Sequence, residues 1–196
     1  MKAAATAVDP VRPTAGVRFT ALVVALHIAL ALWALSVWIH GPFGGEGIVD
    51  GAEMLALARH GSTGAFETKS PLYPWLLGVA FGVFGDSPWT VGALGIACSC
   101  AVLLAVRALC IELGCTREAP LALILCALSG SLYVFAVQPL EPLLASAALT
   151  WAVVALARAR RTASLGAALA AGLLFGVSMF TRAPLALAVV ALLGVE

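Results

Sequence analysis

The chain has little charge. Of its 196 residues only 11% are Asp, Glu, Lys or Arg, while 62% are hydrophobic. Soluble domains carry about 25% and 45–50% respectively. A soluble fold of this composition would lack the polar side chains to cover its surface, so lipid is the solvent for much of it. An excess of one sign is lacking too: 11 basic and 10 acidic residues leave a formal net charge of +1. No basic run is long enough to make a binding stripe, which excludes nucleic acid as a partner. There is no glycine-rich phosphate loop with a lysine, no metal-ligand spacing and no ordered Ser–His–Asp set. A nucleotide-fuelled pump or a hydrolase is therefore not supported. Cysteine is present, at 98, 100, 110, 115 and 126, but always in or beside an apolar run. Cys98 and Cys100 would stand about 200° apart around a helix, too far to share a metal. They read as small packing residues rather than a disulfide framework.

Apolar runs dominate what is there. The first, residues 19–39, has the roughly 20 residues needed to cross a bilayer. Lys2, Arg12 and Arg18 precede it, as in a secretory signal. It is longer than a signal core of about 7–15 residues, however, and no small-x-small cleavage site follows, so it reads as an uncleaved anchor. Further runs cover 88–111, 119–137, 142–157, 163–180 and 184–195. Residues 71–85 are apolar but short, and Pro74 and glycines 78, 82 and 85 interrupt them. A run of that length suits a half-buried segment better than a span.

Charge parity selects the topology. If 71–85 does not cross, Lys2, Arg12, Arg18, Arg107, Arg117, Arg158, Arg160 and Arg161 share one side, leaving Arg59, Lys69 and Arg182 opposite. The positive-inside tendency favours that arrangement. The expected fold is an all-α polytopic membrane protein of about six transmembrane helices. A cytoplasmic tail (1–18) precedes a transmembrane domain (19–196), whose outer loop 41–87 carries juxtamembrane helices at about 50–60 and 71–85. Asp50, Glu53, Lys69, Glu141 and Arg182 then come to the outer side from three separate stretches. Ionisable groups at a membrane boundary cost free energy unless paired or hydrated, so such a collection is a site hypothesis.

Within the loop, Met54, Leu55, Leu57 and Ala58 give 50–60 a mixed apolar face, suiting a helix on the membrane surface. Asp50 and Glu53 have capping-box spacing, so a structural role as a helix cap competes evenly with a chemical one. Lys69, just before Pro71-Leu-Tyr-Pro-Trp75, suits an anionic head group, or else an ordinary interfacial Lys and Trp belt. His27 is expected to be a buried, hydrogen-bonded histidine, and Arg107 to snorkel toward the inner surface. Gly78-x-x-x-Gly82 and Gly172-x-x-x-Gly176 are expected to let helices approach closely within the bundle.

The order Asp50…Ala58-Arg59, Lys69-Ser-Pro-Leu-Tyr-Pro, Phe84-Gly85 resembles the first outer loop of GT-C membrane glycosyltransferases. More narrowly it is similar to their protein O-mannosyltransferase and aminoarabinose-transferase branch. Gln138-Pro-Leu-Glu141-Pro resembles that branch's second acidic motif, and Gly172…Gly176…Thr181-Arg182-Ala-Pro184 its glycine-rich fifth span and corner. Met54 stands where the family commonly has an aromatic residue.

The resemblance implies transfer of a sugar from a polyprenyl-phosphate donor to an acceptor hydroxyl, with inversion, at the outer face of a cell's inner (plasma) membrane. Membrane lipids surround it, and the acceptor is a lipid, glycan or protein. By the same resemblance Asp50 is the candidate general base, and Lys69 and Arg182 are candidate contacts to the donor phosphate. Glu141 and Glu53 fall in the vicinity of the acceptor or a metal; a divalent cation is the one cofactor left open. Family members continue for several more spans, so the chain is expected to be their N-terminal portion. The alternatives are a small transporter or lipid-flipping protein, and a catalytically silent subunit of the same fold.

Overall fold

The computed structural model describes residues 13–41, 49–60, 70–139 and 141–182; the side chains of 13–15, 49 and 50 lie outside that description. In chain order the helices are α1 (Pro13–Ile39), α2 (Val49–His60), α3 (Leu72–Phe84), α4 (Pro88–Glu112), α5 (Ala119–Ala127), α6 (Gly130–Val137), α7 (Pro142–Thr162) and α8 (Leu165–Thr181). No strand occurs among the described residues. Local chemistry sets several of these boundaries. Ser87 caps α4 by accepting from Thr90 N at 3.2 Å, with Pro88 as the first helical residue, where its missing N–H is harmless. Ser164 caps α8 through Ala167 N, after Ala163 has turned the chain out of α7 in a left-handed conformation.

Among the described residues three helices are long and apolar enough to cross a membrane: α1 from Gly16, α4, and α7. Helix α8, with 17 residues, falls just short of that length. Residues 119–137, expected as one continuous span, are instead two helices meeting at a 52° bend. Ser129 adopts an extended backbone (ψ 117°) that interrupts the helical ladder. Tyr133 Oη then donates to the Ala127 carbonyl at 2.6 Å, satisfying an acceptor that the break frees. The expected span 184–195 lies outside the described residues.

Helices α1, α4, α5, α6 and α7 share a core that includes Ala31, Leu35, Leu103, Leu123, Ala136 and Leu143. The outer surface carries many large apolar side chains: Leu22, Trp33, Leu125 and Leu173 are each more than 60% exposed. In water such a surface would drive aggregation, whereas in acyl chains it needs no cover. This is a multi-pass membrane protein.

The tightest approaches fall on glycines other than those the spacing selects. A Cβ on Gly95 would stand 2.1 Å from the Ala136 carbonyl oxygen, and one on Gly92 2.3 Å from Leu35 Cδ2. Gly78 does sit tightly, 3.0 Å from the Ala58 oxygen by the same measure, but Gly82, Gly172 and Gly176 meet nothing within 4 Å among the described residues. Every fourth residue on a helix shares a face, but the spacing does not say whether a partner lies opposite. His27 is buried, its Nε2 2.9 Å from Ser99 Oγ, and its ring lies beside Tyr133 at 4.9 Å. At the α4 C-terminus Glu112, almost enclosed, is gripped from α7 by Arg158 Nε at 3.0 Å and Arg161 Nη2 at 2.7 Å.

Candidate functional site

Helices α2 and α3 fold over the N-terminal end of α4 around a small apolar cluster of their own: Met54, Leu55, Tyr73, Leu77 and Val91. At 13 residues α3 is ~20 Å long, well under the ~30 Å of a hydrocarbon core. Pro71 precedes it, and Gly85 ends it at φ 87°, a conformation only glycine adopts without strain. Thr90 Oγ1 donates to the Gly85 carbonyl at 2.7 Å, fixing the corner into α4. From the last turn of α2, Arg59 makes a two-pronged ion pair with Asp86 in that corner, at 2.7 and 3.0 Å.

That clamp is open to solvent, with both side chains more than 40% exposed. Its net contribution is correspondingly small. Arg59→Ala is expected to lower stability by less than about 1 kcal/mol, as read from thermal unfolding in detergent. A larger loss would mean that α2 depends on this pair rather than on Met54 and Leu55.

Asp50 lies in the first turn of α2, which begins one residue earlier, at Val49. The bonds of the expected capping box involve the Asp50 side chain, which lies outside the described residues. A first-turn position still favours a negative charge through the helix dipole. The Asp50 side chain and the whole of Lys69 lie outside the described residues. Glu53 is exposed on α2. Glu141 is half-buried immediately before α7. Arg182 is exposed at the end of α8, where its N–H bonds the Ser178 carbonyl.

Several contacts draw these segments to one end of the bundle. Gly51, next to Asp50, rests against Pro139 in the corner that leads to Glu141; a Cβ there would stand 3.0 Å from the ring. Tyr73 is buried. Burial first, then the electrostatic influence of Cys98 and Glu141, push its phenol well above its ordinary value, so it stays a neutral hydroxyl. Ser70, the residue after Lys69, donates its hydroxyl to the Phe180 carbonyl, two residues before Arg182. Ser178 Oγ in turn donates to Ala145 O at 3.1 Å, tying the end of α8 to the start of α7. The α2 start, the α3 start, the 139–141 corner and the α8 end thus meet. Among the described residues no three His, Cys, Asp or Glu side chains gather as a metal site.

Sequence reasoning missed Asp86, Pro139 and the Ser70–Phe180 link. Asp86 and Arg59 are 27 positions apart, and Ser70 and Phe180 110 apart, so no local pattern signals either pair.

Residues 68–195 match the family model for dolichyl-phosphate-mannose-protein mannosyltransferase. The matched stretch takes in Lys69, Tyr73, Glu141 and Arg182 and begins after Asp50 and Glu53. No curated protein and no solved structure gives a significant match. The family match covers well over half of the chain and extends from the loop through α8. This helical membrane protein therefore belongs to the dolichyl-phosphate-mannose-protein mannosyltransferase family, and is a GT-C glycosyltransferase-like protein.

Proposed function

We propose that the chain, as part or whole of an enzyme, transfers a sugar from a polyprenyl-phosphate donor to an acceptor hydroxyl with inversion. The observation that carries this reading is the meeting of four motif-bearing segments at one end of the bundle. They are the start of α2, the residues after Lys69, the Glu141 corner and the approach to Arg182. Asp50 accepts the proton of the acceptor hydroxyl as its oxygen attacks the anomeric carbon. The bond from that carbon to the phosphate oxygen breaks, and the polyprenyl phosphate leaves with the electron pair. Lys69 and Arg182 offset the charge that grows on the departing phosphate, where donors fixed in advance are most effective. Glu141 and Glu53 orient the acceptor or hold a divalent cation. The family's name makes a mannosyl donor and a protein hydroxyl the first pair to try.

The reading also assigns the site to the outer face of the plasma membrane, with the N-terminus cytoplasmic. What supports this is the collection of Arg107, Arg117, Arg158, Arg160 and Arg161 away from the loop. A cysteine introduced at Ser62, in a chain whose own five are replaced, is expected to label from the outer side. Labelling only from the cytoplasm would overturn the orientation. The activity itself is tested by sugar transfer from polyprenyl-phosphate-linked donors in membranes carrying the wild type or Asp50→Asn. A correctly folded wild-type chain that transfers nothing would count for a catalytically silent subunit.

A further inference from the structure

At the opposite end of the bundle from the loop, a cavity of about 380 Å3 opens between three helix ends. Gly16, Val17 and Thr20 of α1, Arg107 and Ile111 of α4, and Leu123 of α5 help to line it. We infer that this cavity binds the head-group phosphate of an anionic phospholipid from the leaflet at that end. The site is independent of the glycosyl-transfer reading and shares no residue with it.

Arg107 carries the argument. It leaves α4 little more than a turn before that helix ends and reaches across to Gly16 of α1. A Cβ on Gly16 would stand 3.8 Å from Arg107 Nη2. The rest of the wall is largely apolar, with Val17, Phe19, Ile111 and Leu123 prominent. A guanidinium half-buried in such surroundings calls for an anion. Among the described residues no carboxylate supplies one. Glu112, the nearest acid along α4, is held by Arg158 and Arg161. Glu118, at the start of α5, is exposed and makes no ion pair with Arg107.

Chemistry then narrows the occupant. At the end of a transmembrane helix the abundant anion is a lipid phosphate, and the planar fork of arginine matches two of its oxygens. The apolar walls fit the glycerol and first methylenes behind that phosphate, an advantage that inorganic phosphate cannot use. Arg18, Arg117 and Arg160 lie at the same end and add to the positive potential. An anionic head group gains from that potential, whereas a zwitterionic one brings its own cation into it.

The test uses the full chain in phosphatidylcholine nanodiscs, with phosphatidylglycerol as probe. Retained lipid is read by native mass spectrometry and the unfolding midpoint by heating. Wild type is expected to keep phosphatidylglycerol in preference to phosphatidylcholine and to unfold at a higher temperature with it. Arg107→Gln is expected to weaken that retention by about tenfold or more, the loss of a charged hydrogen bond to phosphate. Gly16→Leu keeps every charge but fills the mouth of the cavity, and is expected to give the same loss. Arg59→Gln removes an equal charge at the other end and is expected to change retention less than twofold. If Arg107→Gln does not fold, the comparison of Gly16→Leu with Arg59→Gln stands alone. Equal retention by wild type and either cavity variant would overturn the assignment, as would equal retention of the two lipids.

Discussion

Asp50→Asn is expected to lower sugar transfer by roughly 10²–10⁴-fold, the usual contribution of a positioned general base. The substitution preserves size and shape but removes the ability to take a proton. A hydroxyl attacking the anomeric carbon would then carry its proton into the transition state or lose it to water. Position sharpens the expectation. Asp50 lies in the first turn of α2, where the helix dipole favours a carboxylate in its ionised form. The same dipole weakens the base somewhat, so the reaction depends on proximity more than on intrinsic basicity. Donor binding should survive, since Lys69 and Arg182 are unchanged. The loss therefore belongs in kcat, with KM for the lipid-linked donor within a few-fold of wild type. Glu53→Gln, one helical turn further on, should cost less if Glu53 serves only the acceptor. Comparable transfer by wild type and Asp50→Asn would remove Asp50 as the base but leave the donor class standing. A rise in KM with kcat unchanged would reassign Asp50 to binding.

How far the sequence could carry this site follows from what kind of information each feature needs. The long spans α1, α4 and α7 are legible because a run of some twenty apolar residues has few other uses. Parity brings Glu141 and Arg182 to the side of the loop, because each crossing reverses the side whatever the packing. The broken span was not legible. Ser129-Gly130-Ser131 marks a weak point, but the apolar runs on both sides of it hide the break, and the Tyr133 hydroxyl on the Ala127 carbonyl shows why it is tolerated there. Nor could spacing choose among glycines. Gly172 and Gly176 have the pattern of a close-packed face, yet the tightest approach falls on Gly95, which pairs with Gly92 in no such motif. At the loop, the residue pattern gave the start of helix α2 to within a residue. The Ser70–Phe180 and Arg59–Asp86 links are products of the finished packing and have no local signature.

Gly95 carries the other large effect. Alanine is the better helix former by about 1 kcal/mol, so at an unhindered glycine of α4 or α8 the substitution should stabilise. At Gly95 the new methyl would stand 2.1 Å from the Ala136 oxygen and 2.8 Å from its carbonyl carbon. Both are backbone atoms of α6 and cannot swing aside, so the helices must separate. Gly95→Ala is expected to cost roughly 1–3 kcal/mol net, the range for overpacking a tight interior. At Gly92 the obstacle is the end of the Leu35 side chain, which can change rotamer, and the cost should be smaller. Gly172→Ala, with nothing described within 4 Å, should be neutral or slightly stabilising. Thermal unfolding of the three variants in detergent separates these cases, and a Gly95→Ala chain as stable as wild type would show that α4 and α6 do not pack this closely. The consequence should also reach the candidate site. Helix α6 leads into Pro139, on which Gly51 and the start of α2 rest. Pushing α6 away from α4 moves that seat, and with it the first turn that carries Asp50. A variant that still folds should therefore lose transfer out of proportion to its loss of stability, whereas Gly172→Ala should leave transfer at the wild-type level.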